Sequence, residues 1–260
     1  MEQSSTPLSG RKALVLAASR GIGYACGERF AAMGADVCLV ARNQGPLDEA
    51  VERLKAASGA KVTGESVDVT DGAGLQSLVQ RHRDADVLLT NCGGPPAGRF
   101  EDFEAEDWDA AYRLQVRSAI TACRVLVPEM AGRGWGRVLM VTSVSVARAL
   151  PGLILSNGLR PALAGLARSL TREYAARGVT FNLLCPGTTA TERMEQLVKR
   201  RMEADNLSRE EAVQALCQAI PAGRPGKPEE VGATAGFLAS PDAAFITGQS
   251  FFLDGGLSSV

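Results

Sequence analysis

Residues 12–23 read KALVLAASRGIG, a short apolar segment followed by a turn with two closely spaced glycines. A strand that runs into such a turn and then into a helix is typical of a nucleotide-binding βαβ unit. The free backbone N–H groups at the start of that helix, together with the helix dipole, favour an anion. A tight strand-to-helix turn without a ligand would have the same sequence. The stretch therefore predicts a parallel sheet. It also predicts a phosphate site at the turn, with a ligand-free turn as the alternative.

The rest of the chain continues this alternation of short strands and longer amphipathic segments. Such alternation favours a parallel sheet that helices cover on both faces. The predicted strands are residues 12–16, 36–41, 61–67, 86–90, 137–142, 180–184 and 250–253. With right-handed crossovers, these strands predict an α/β fold with a doubly wound, parallel, seven-stranded sheet of the Rossmann kind. We expect residues 1–260 to form a single domain.

Residues 191–222 fit this alternation least. Two apolar stripes at helical spacing occur there, namely Met194, Leu197, Val198 and Met202, and then Ala212, Val213, Leu216 and Ile220. Ser208 with Glu211 is the pattern of a capping box at the start of the second helix. The sequence therefore predicts two helices inserted before the last strand as a mobile lid. The first stripe either lines a substrate pocket or packs within the lid.

The composition argues against several classes of protein. The 260 residues carry 28 basic and 29 acidic side chains, so a surface that binds nucleic acid is not expected. Apolar runs are too short to cross a bilayer, and residues 1–10 lack the hydrophobic segment of a signal peptide. The six cysteines form no CxxC pair and His82 is the sole histidine, so neither a disulfide framework nor a metal site is expected. We expect a soluble cytoplasmic protein without a membrane partner.

Two arginines indicate which nucleotide the turn would bind. Arg42 ends the second predicted strand, 19 residues after Gly23, near the place where an NAD site holds a carboxylate against the ribose. A guanidinium at this place favours the 2′-phosphate of NADP, which it can grip through two donors. Arg20 lies in the turn itself. The alternative is that both arginines are solvated surface residues.

Further motifs follow in order along the chain. They are Asp68-Val69 after the third strand, Thr90-Asn91-Cys92-Gly93 after the fourth, Ser143 after the fifth, Pro186-Gly187 with Thr191 after the sixth, and Ile246-Thr247-Gly248-Gln249 with Asp254-Gly255-Gly256 at the end. With this set the chain resembles the short-chain dehydrogenase/reductase family of the classical type, which includes 3-oxoacyl-acyl-carrier-protein reductases. The resemblance extends from residue 12 to residue 256.

The resemblance implies an NADP cofactor and the residues that bind it. These are Ala17, Ser19, Arg20, Gly21, Ile22, Gly23, Arg42, Asp68, Val69, Asn91, Cys92, Gly93, Pro186, Gly187 and Thr191. Asp68 takes the place of the family's carboxylate on the adenine. Ala17 departs from the family, which has a glycine there. Its methyl group either weakens binding or is accommodated by a slight shift of the loop.

The resemblance also implies a homo-oligomer, a tetramer built on two long helices around residues 107–130 and 159–177. Small residues on the second helix would permit close packing between subunits, namely Ala162, Ala164, Gly165 and Ser169. The same small residues also suit burial against the chain's own sheet.

The catalytic positions depart from the family pattern. In the family a serine polarises the substrate carbonyl, a tyrosine 13 residues later donates the proton, and a lysine four residues beyond lowers the pKa of that tyrosine. Counting from Ser143 gives Ser156 and Arg160 instead. None of the chain's tyrosines, which are Tyr24, Tyr112 and Tyr174, is followed by a lysine four residues on. The family's asparagine, which holds a proton-relay water, aligns with Gln115.

These substitutions change the chemistry that the site could perform. A serine hydroxyl is a far weaker acid than a phenol with a pKa near 10, and losing a positioned general acid typically costs about 10²–10⁴-fold in rate. Arg160 stays protonated but can stabilise negative charge on an oxygen. Pro161 disfavours helical geometry at Arg160, so the direction of this side chain is open. Ser156 has an alternative role as a helix cap.

Two functions remain in view. The first is an NADP-dependent oxidoreductase for a carbonyl or alcohol substrate, acyl compounds included. In this function Ser143 holds the substrate oxygen, Arg160 assists electrostatically, and Ser156 or a water relays the proton. The second is a nucleotide- or ligand-binding protein on the reductase fold with impaired chemistry. Non-redox chemistry on this fold is a minor third possibility.

Cys92 and Cys185 are interpreted as core fillers, and His82 as a solvated residue on a helix face.

Overall fold

Seven parallel strands form one sheet in the computed structural model, which describes residues 6–259. Residues 1–5, half of the segment interpreted as lacking a signal peptide, lie outside the described part, as does residue 260. The strands are β1 (Lys12–Val15), β2 (Asp36–Ala41), β3 (Val62–Ser66), β4 (Val87–Thr90), β5 (Gly136–Val141), β6 (Val179–Pro186) and β7 (Ser250–Leu253). Their order is β3-β2-β1-β4-β5-β6-β7, with every neighbouring pair parallel. The predicted doubly wound sheet is confirmed.

Helices cover both faces of this sheet. They are α1 (Gly21–Ala32), α2 (Gln44–Ser58), α3 (Gly72–Arg81), α4 (Ala105–Tyr112), α5 (Ser118–Gly132), α6 (Ile154–Leu159), α7 (Pro161–Tyr174), α8 (Glu192–Asp205), α9 (Arg209–Cys217) and α10 (Pro228–Ala239). One apolar core joins the sheet to α1, α2 and α10, and a second joins it to α3, α5 and α7. Because both faces are covered, β4 and β6 are buried along their whole length, as parallel strands usually are.

The sheet order brings the predicted site residues to one edge. The chain leaves β1 towards one side of the sheet and returns beside it as β4, so the order reverses between these two strands. In such sheets ligands bind outside the carboxyl ends of the strands at this reversal. Ala17, Asn91 and Ser143 follow the carboxyl ends of β1, β4 and β5, so they meet at the same edge.

The two predicted helices after residue 191 are α8 and α9, and they pack on each other. Met194, Val198 and Ala212 form a small apolar core between them. The capping box is present, because Ser208 N–H donates to the Glu211 carboxylate (2.8 Å) and Glu211 N–H donates to Ser208 Oγ (3.3 Å). No helix within residues 6–259 combines the length and the apolar character that a bilayer crossing needs.

Candidate active site

The turn between β1 and α1 has the backbone shape that the sequence assigns to a phosphate loop. Ala17 and Gly21 both lie in the left-handed region, with φ of +50° and +59°. The Asn91 side-chain amide donates to the Ala17 carbonyl (3.0 Å) and so ties the end of β4 to the loop. A Cβ at Gly23 would lie 2.5 Å from that carbonyl oxygen and 2.8 Å from Asn91 Nδ2. The first turn of α1 therefore lies directly against the loop, and no side chain fits between them.

Ala17 keeps the left-handed conformation that a glycine would adopt. A left-handed residue other than glycine costs about 1–2 kcal/mol. We therefore expect Ala17→Gly to raise the free energy of unfolding by about 1 kcal/mol, measured by urea denaturation. The matched control is Ala56→Gly at an exposed position of α2, where the same change should destabilise by about 1 kcal/mol. A loss of stability in both variants would contradict strain at Ala17.

A cleft of about 600 Å³ opens beside this turn. Most of the predicted cofactor-binding residues line it, namely Ala17, Ser19, Arg20, Gly21, Ile22, Arg42, Asp68, Val69, Asn91, Gly93 and Thr191. The structure therefore brings together residues that follow five different strands. This is the arrangement expected of a dinucleotide cleft at a sheet edge.

Arg20 and Arg42 lie at the rim of the cleft with exposed side chains. Arg20 forms an ion pair with Glu192 at the start of α8, and Arg42 Nη1 lies 3.9 Å from the Asp68 carboxylate. Burial raises the pKa of Asp68, but hydrogen bonds from the Thr70 N–H and hydroxyl, together with Arg42, outweigh it, so the pKa lies below its usual value. Both arginines are solvated, as the alternative interpretation predicted, yet both face the cleft.

Four predicted cofactor residues do not line the cleft itself. Gly23 lies against the loop, and Pro186 and Gly187 line a deeper cavity. Cys92 is partly buried and packs against the apolar core that joins the sheet to α3, α5 and α7. Burial raises the pKa of the Cys92 thiol although Arg160 opposes this, and burial also raises the pKa of Cys185. Both thiols are therefore poor nucleophiles at neutral pH.

An inner cavity of about 170 Å³ adjoins the cleft. Four residues line both spaces, namely Ile22, Gly94, Thr191 and Arg193. Ser143, Ser156 and Arg160 line the inner cavity, so the structure brings three of the four predicted catalytic residues together. An apolar wall is supplied by Leu150, Leu153, Met194 and Leu197.

Arg160 reaches the cavity from a helical backbone. Its φ and ψ are −64° and −32°, and its N–H donates to the Ser156 carbonyl (3.1 Å). The expectation that Pro161 would keep Arg160 out of helical geometry is wrong. The helical stretch divides at Arg160 into α6 and α7, and Pro161 takes the first position of α7, where its missing N–H costs little.

The Arg160 side chain is fixed at the end of β5. The residue is 8% exposed, and Nη1 donates to the carbonyl oxygens of Thr142 (2.7 Å) and Val141 (3.4 Å). Ser143 follows directly, and its Oγ accepts a hydrogen bond from Ser145 N–H (3.1 Å). The Ser143 hydroxyl proton is thus free to be donated to a ligand oxygen. All three tyrosines lie in the described part of the chain, and none of them lines the cavity.

Gln115 is the one predicted catalytic residue that the structure does not bring to either space. It lies in a π-helical turn, Arg113–Arg117, between α4 and α5, and it is 3% exposed. Within residues 6–259 neither its amide oxygen nor its amide nitrogen has a hydrogen-bond partner. Single π turns are frequent at functional sites. A catalytic role for Gln115 stays a prediction.

Two residues of the site were missed by sequence reasoning. Asn157 holds the backbone of Leu150, a residue that lines the inner cavity. Its Oδ1 accepts a hydrogen bond from Leu150 N–H (3.0 Å), and its Nδ2 donates one to the Leu150 carbonyl (2.8 Å). Arg193 extends from α8 and donates to the Pro95 carbonyl (2.8 Å). The only available signals were the place of Asn157 directly after Ser156 and that of Arg193 two residues after Thr191.

His82 is not a solvated residue on a helix face. It ends α3, where its Nε2 lies 2.5 Å from Glu65 Oε1 and 3.7 Å from Cys38 Sγ. Glu65 also pairs with Arg81. The sequence interpretation is wrong because β3 brings Glu65 against the end of α3, a tertiary contact. The ligand atoms of Cys38, Glu65 and His82 lie within 4.8 Å of one another, although the three residues are far apart in the sequence.

Comparison with known proteins identifies the family. The family model described as Enoyl-(Acyl carrier protein) reductase matches residues 16–258. The chain is 34% identical over 255 residues to gluconate 5-dehydrogenase of Gluconobacter oxydans (strain 621H), with 96% of each chain covered. The chain belongs to the short-chain dehydrogenase/reductase family.

Other members of the short-chain dehydrogenase/reductase family are similar over their full length. Dehydrogenase/reductase SDR family member 4 of Oryctolagus cuniculus is 33% identical over 258 residues, covering 97% of this chain and 95% of the relative. The crystal structure of L-sorbose reductase from Gluconobacter frateurii, complexed with NADPH and L-sorbose, has a TM-score of 0.92 and 29% identity, covering 98% and 99% of the two chains. The family assignment from sequence is confirmed, and with it membership of a family of oxidoreductases.

Proposed function

We propose that this short-chain dehydrogenase/reductase is an NADP-dependent oxidoreductase that transfers a hydride between the nicotinamide and a carbonyl or alcohol carbon of a small substrate. One observation carries the proposal, namely that the cleft and the inner cavity adjoin each other through four shared lining residues. Arg20 and Arg42 lie at the rim of the cleft, and Ser143, Ser156 and Arg160 line the inner cavity. The NADPH complex of L-sorbose reductase, which shares the fold, supports this cofactor.

The residues of the cleft fit such a dinucleotide. The left-handed loop at Ala17 and the bare Gly23 leave the backbone N–H groups of α1 open to a pyrophosphate. Among residues 6–259 the one ion pair of Arg42 is the 3.9 Å contact with Asp68, so its donors are available to a 2′-phosphate. The low pKa of Asp68 keeps it a carboxylate that can accept a hydrogen bond from the adenine.

The inner cavity supplies polar groups for the reacting oxygen. When bound, the nicotinamide gives or takes the hydride. In the direction of reduction, the Ser143 hydroxyl donates to the carbonyl oxygen, and the fixed guanidinium of Arg160 stabilises the negative charge that develops there. The new O–H bond takes its proton from water, with the Ser156 hydroxyl as the relay, since none of the tyrosines in the described part of the chain lines the cavity.

A catalytically impaired nucleotide- or ligand-binding protein is the second candidate function. It is favoured by the Ser156 and Arg160 substitutions and by Gln115, whose buried amide has no partner within the described residues. Both candidate functions allow a bound nucleotide, so nucleotide binding does not separate them. Catalytic turnover does, because only the oxidoreductase converts a substrate.

Titration with NADPH and NADH tests the cofactor assignment. We expect NADPH to bind about tenfold or more tightly than NADH, because a bidentate guanidinium–phosphate contact is a charge-assisted hydrogen bond. Arg42→Ala should weaken NADPH binding by about tenfold and leave NADH binding unchanged, so NADH is the internal control. Calorimetry and nicotinamide fluorescence measure both affinities. Failure of both nucleotides to bind the unmodified protein would overturn the oxidoreductase proposal.

We also propose that α8 and α9 act as a mobile lid over the site. Arg193 and Arg200 of α8 donate to the carbonyl oxygens of Pro95 and Ala97 in the loop after β4, which supports closure across the cleft. Slower amide hydrogen exchange in α8 on addition of NADPH is the expected result. Unchanged exchange would contradict a lid.

A homotetramer is supported by the exposed face of α7. Ala162, Gly165 and Ser169 are exposed there, whereas Ala164 is buried against the chain's own sheet. A monomeric mass by light scattering would contradict this assembly.

A reducing compartment such as the cytoplasm is supported by the cysteines. All six lie within the described residues and are free thiols. Disulfides are rare in cytosolic proteins. We expect six reactive thiols after denaturation without reductant, and fewer would contradict this location.

A further inference from the structure

Arg193 is an arginine of α8 that lines both the cleft and the inner cavity. A Cβ at Gly94 would lie 2.8 Å from Arg193 Nε and 3.0 Å from its Cζ. The missing side chain at Gly94 therefore leaves the space that the guanidinium occupies. The hydrogen bond from Nη2 to the Pro95 carbonyl then fixes the guanidinium in this place.

The side chains of Arg160 and Arg193 are both positively charged and line the same cavity, and no acidic side chain of the described residues lies in that lining. Within residues 6–259 neither guanidinium forms an ion pair, and no carboxylate lines the cavity. Their partners are backbone carbonyls and, for Arg193, the Gln196 side-chain oxygen (3.4 Å). Burial lowers the pKa of Arg193, and repulsion from Arg160 and Arg200 lowers it further. Arg160 is buried and Arg193 is half-buried, and a charge withdrawn from water without a counter-ion is costly, so this cavity favours an anion.

The remaining walls limit the kind of anion. Leu150, Leu153, Met194 and Leu197 form an apolar side, while Ser143 and Ser156 supply hydroxyls. A neutral ketone or sugar would leave both guanidinium groups without a counter-ion. A carboxylate next to an apolar chain satisfies the charged and the apolar walls together. The cavity volume of about 170 Å³ suits a small acid rather than a long acyl chain.

We propose that the inner cavity binds a small carbonyl or hydroxy acid, whose carboxylate is held by Arg193 while Ser143 and Arg160 hold the reacting oxygen. This substrate class rests on the proposed oxidoreductase function for the reacting carbon, whereas the anion site itself rests on the two unpaired arginines. The apolar wall takes the remainder of the substrate.

Two probes with one carbon skeleton test the proposal. The full chain, alone and saturated with NADP⁺, is titrated calorimetrically with 4-methyl-2-oxopentanoate and with the neutral ketone 4-methyl-2-pentanone. No turnover interferes with the titration, because NADP⁺ and the carbonyl group of each probe are both in the oxidised state. We expect the acid to bind at least tenfold more tightly than the ketone and to weaken as NaCl is raised.

Substitutions of Arg193 assign the effect to one side chain. Arg193→Gln should weaken binding of the acid by about 10- to 100-fold and leave the ketone unchanged, since the lost contact is charge-assisted. Arg193→Lys should retain part of the affinity, which separates loss of charge from misfolding. The matched control is Arg201→Gln, because Arg201 lies on the same helix, pairs with Asp205 (2.5 Å) and does not line the cavity. This control should bind the acid normally.

Three results would overturn the anion site. The first is that the ketone binds as tightly as the acid. The second is that neither form of the protein binds the acid. The third is that Arg193→Gln weakens NADP⁺ binding while the affinity for the acid is unchanged, which would make Arg193 a cofactor residue. If the protein binds the acid but neither nucleotide, the result would contradict the proposed oxidoreductase function and support the anion site.

Discussion

Gly23→Ala is expected to weaken NADPH binding by about 100-fold or more. The added Cβ would lie 2.5 Å from the Ala17 carbonyl oxygen and 2.8 Å from Asn91 Nδ2, so the loop has to move away from α1. That movement breaks the hydrogen bond from Asn91 to Ala17 and turns the N–H groups of α1 away from the phosphates. Each lost hydrogen bond to a charged group is worth about 1.5–3 kcal/mol, so two suffice for this effect. Fluorescence titration with NADPH measures it.

A second glycine provides the control for Gly23→Ala. A Cβ at Gly132, the last residue of α5, would have no heavy atom within 4 Å, so Gly132→Ala should leave NADPH affinity unchanged and raise the free energy of unfolding by at most about 1 kcal/mol. Gly23→Ala should also lower the free energy of unfolding by about 1–3 kcal/mol, the usual cost of overpacking. Normal NADPH affinity in Gly23→Ala would show that the loop does not carry the phosphate.

The double variant Ser156→Tyr with Arg160→Lys is expected to raise the rate of NADPH-dependent ketone reduction by about 10²–10³-fold. Ser156 and Arg160 line the same cavity as Ser143, so a phenol and an ammonium would be placed beside the reacting oxygen. The ammonium lowers the pKa of the phenol, and a positioned general acid typically contributes about 10²–10⁴-fold. The measurement is kcat for a panel of small oxo acids and ketones at saturating NADPH.

The two single variants separate the contributions of the pair. Ser156→Tyr keeps Arg160 bonded to the carbonyls of Val141 and Thr142, and Arg160→Lys removes that fixed guanidinium without adding an acid. Neither alone should reach the rate of the double variant, because the two groups act as a unit. No gain in the double variant, with NADPH binding intact, would favour the ligand-binding function over the oxidoreductase.

Most of the residues that the sequence predicts for cofactor binding line one cleft. The glycine turn, Arg42, Asp68 and Thr191 all line the cleft, because their positions follow from the strand order of a parallel sheet. Prediction failed where a contact joins distant parts of the chain. His82 was assigned to solvent although Glu65 lies beside it.

The local sequence by itself determined the alternation of strands and helices, the turn at Gly23 and the loss of the tyrosine and lysine pair, since each depends on residue type and spacing along the chain. Only the tertiary structure decided what the inner cavity contains. The backbone at Arg160 stays helical before Pro161, and the side chain is captured by carbonyls of β5. Arg193 reaches the same cavity from α8 because Gly94 leaves room for it. The meeting of these two charges depends on packing between elements far apart in sequence, which residue spacing does not encode.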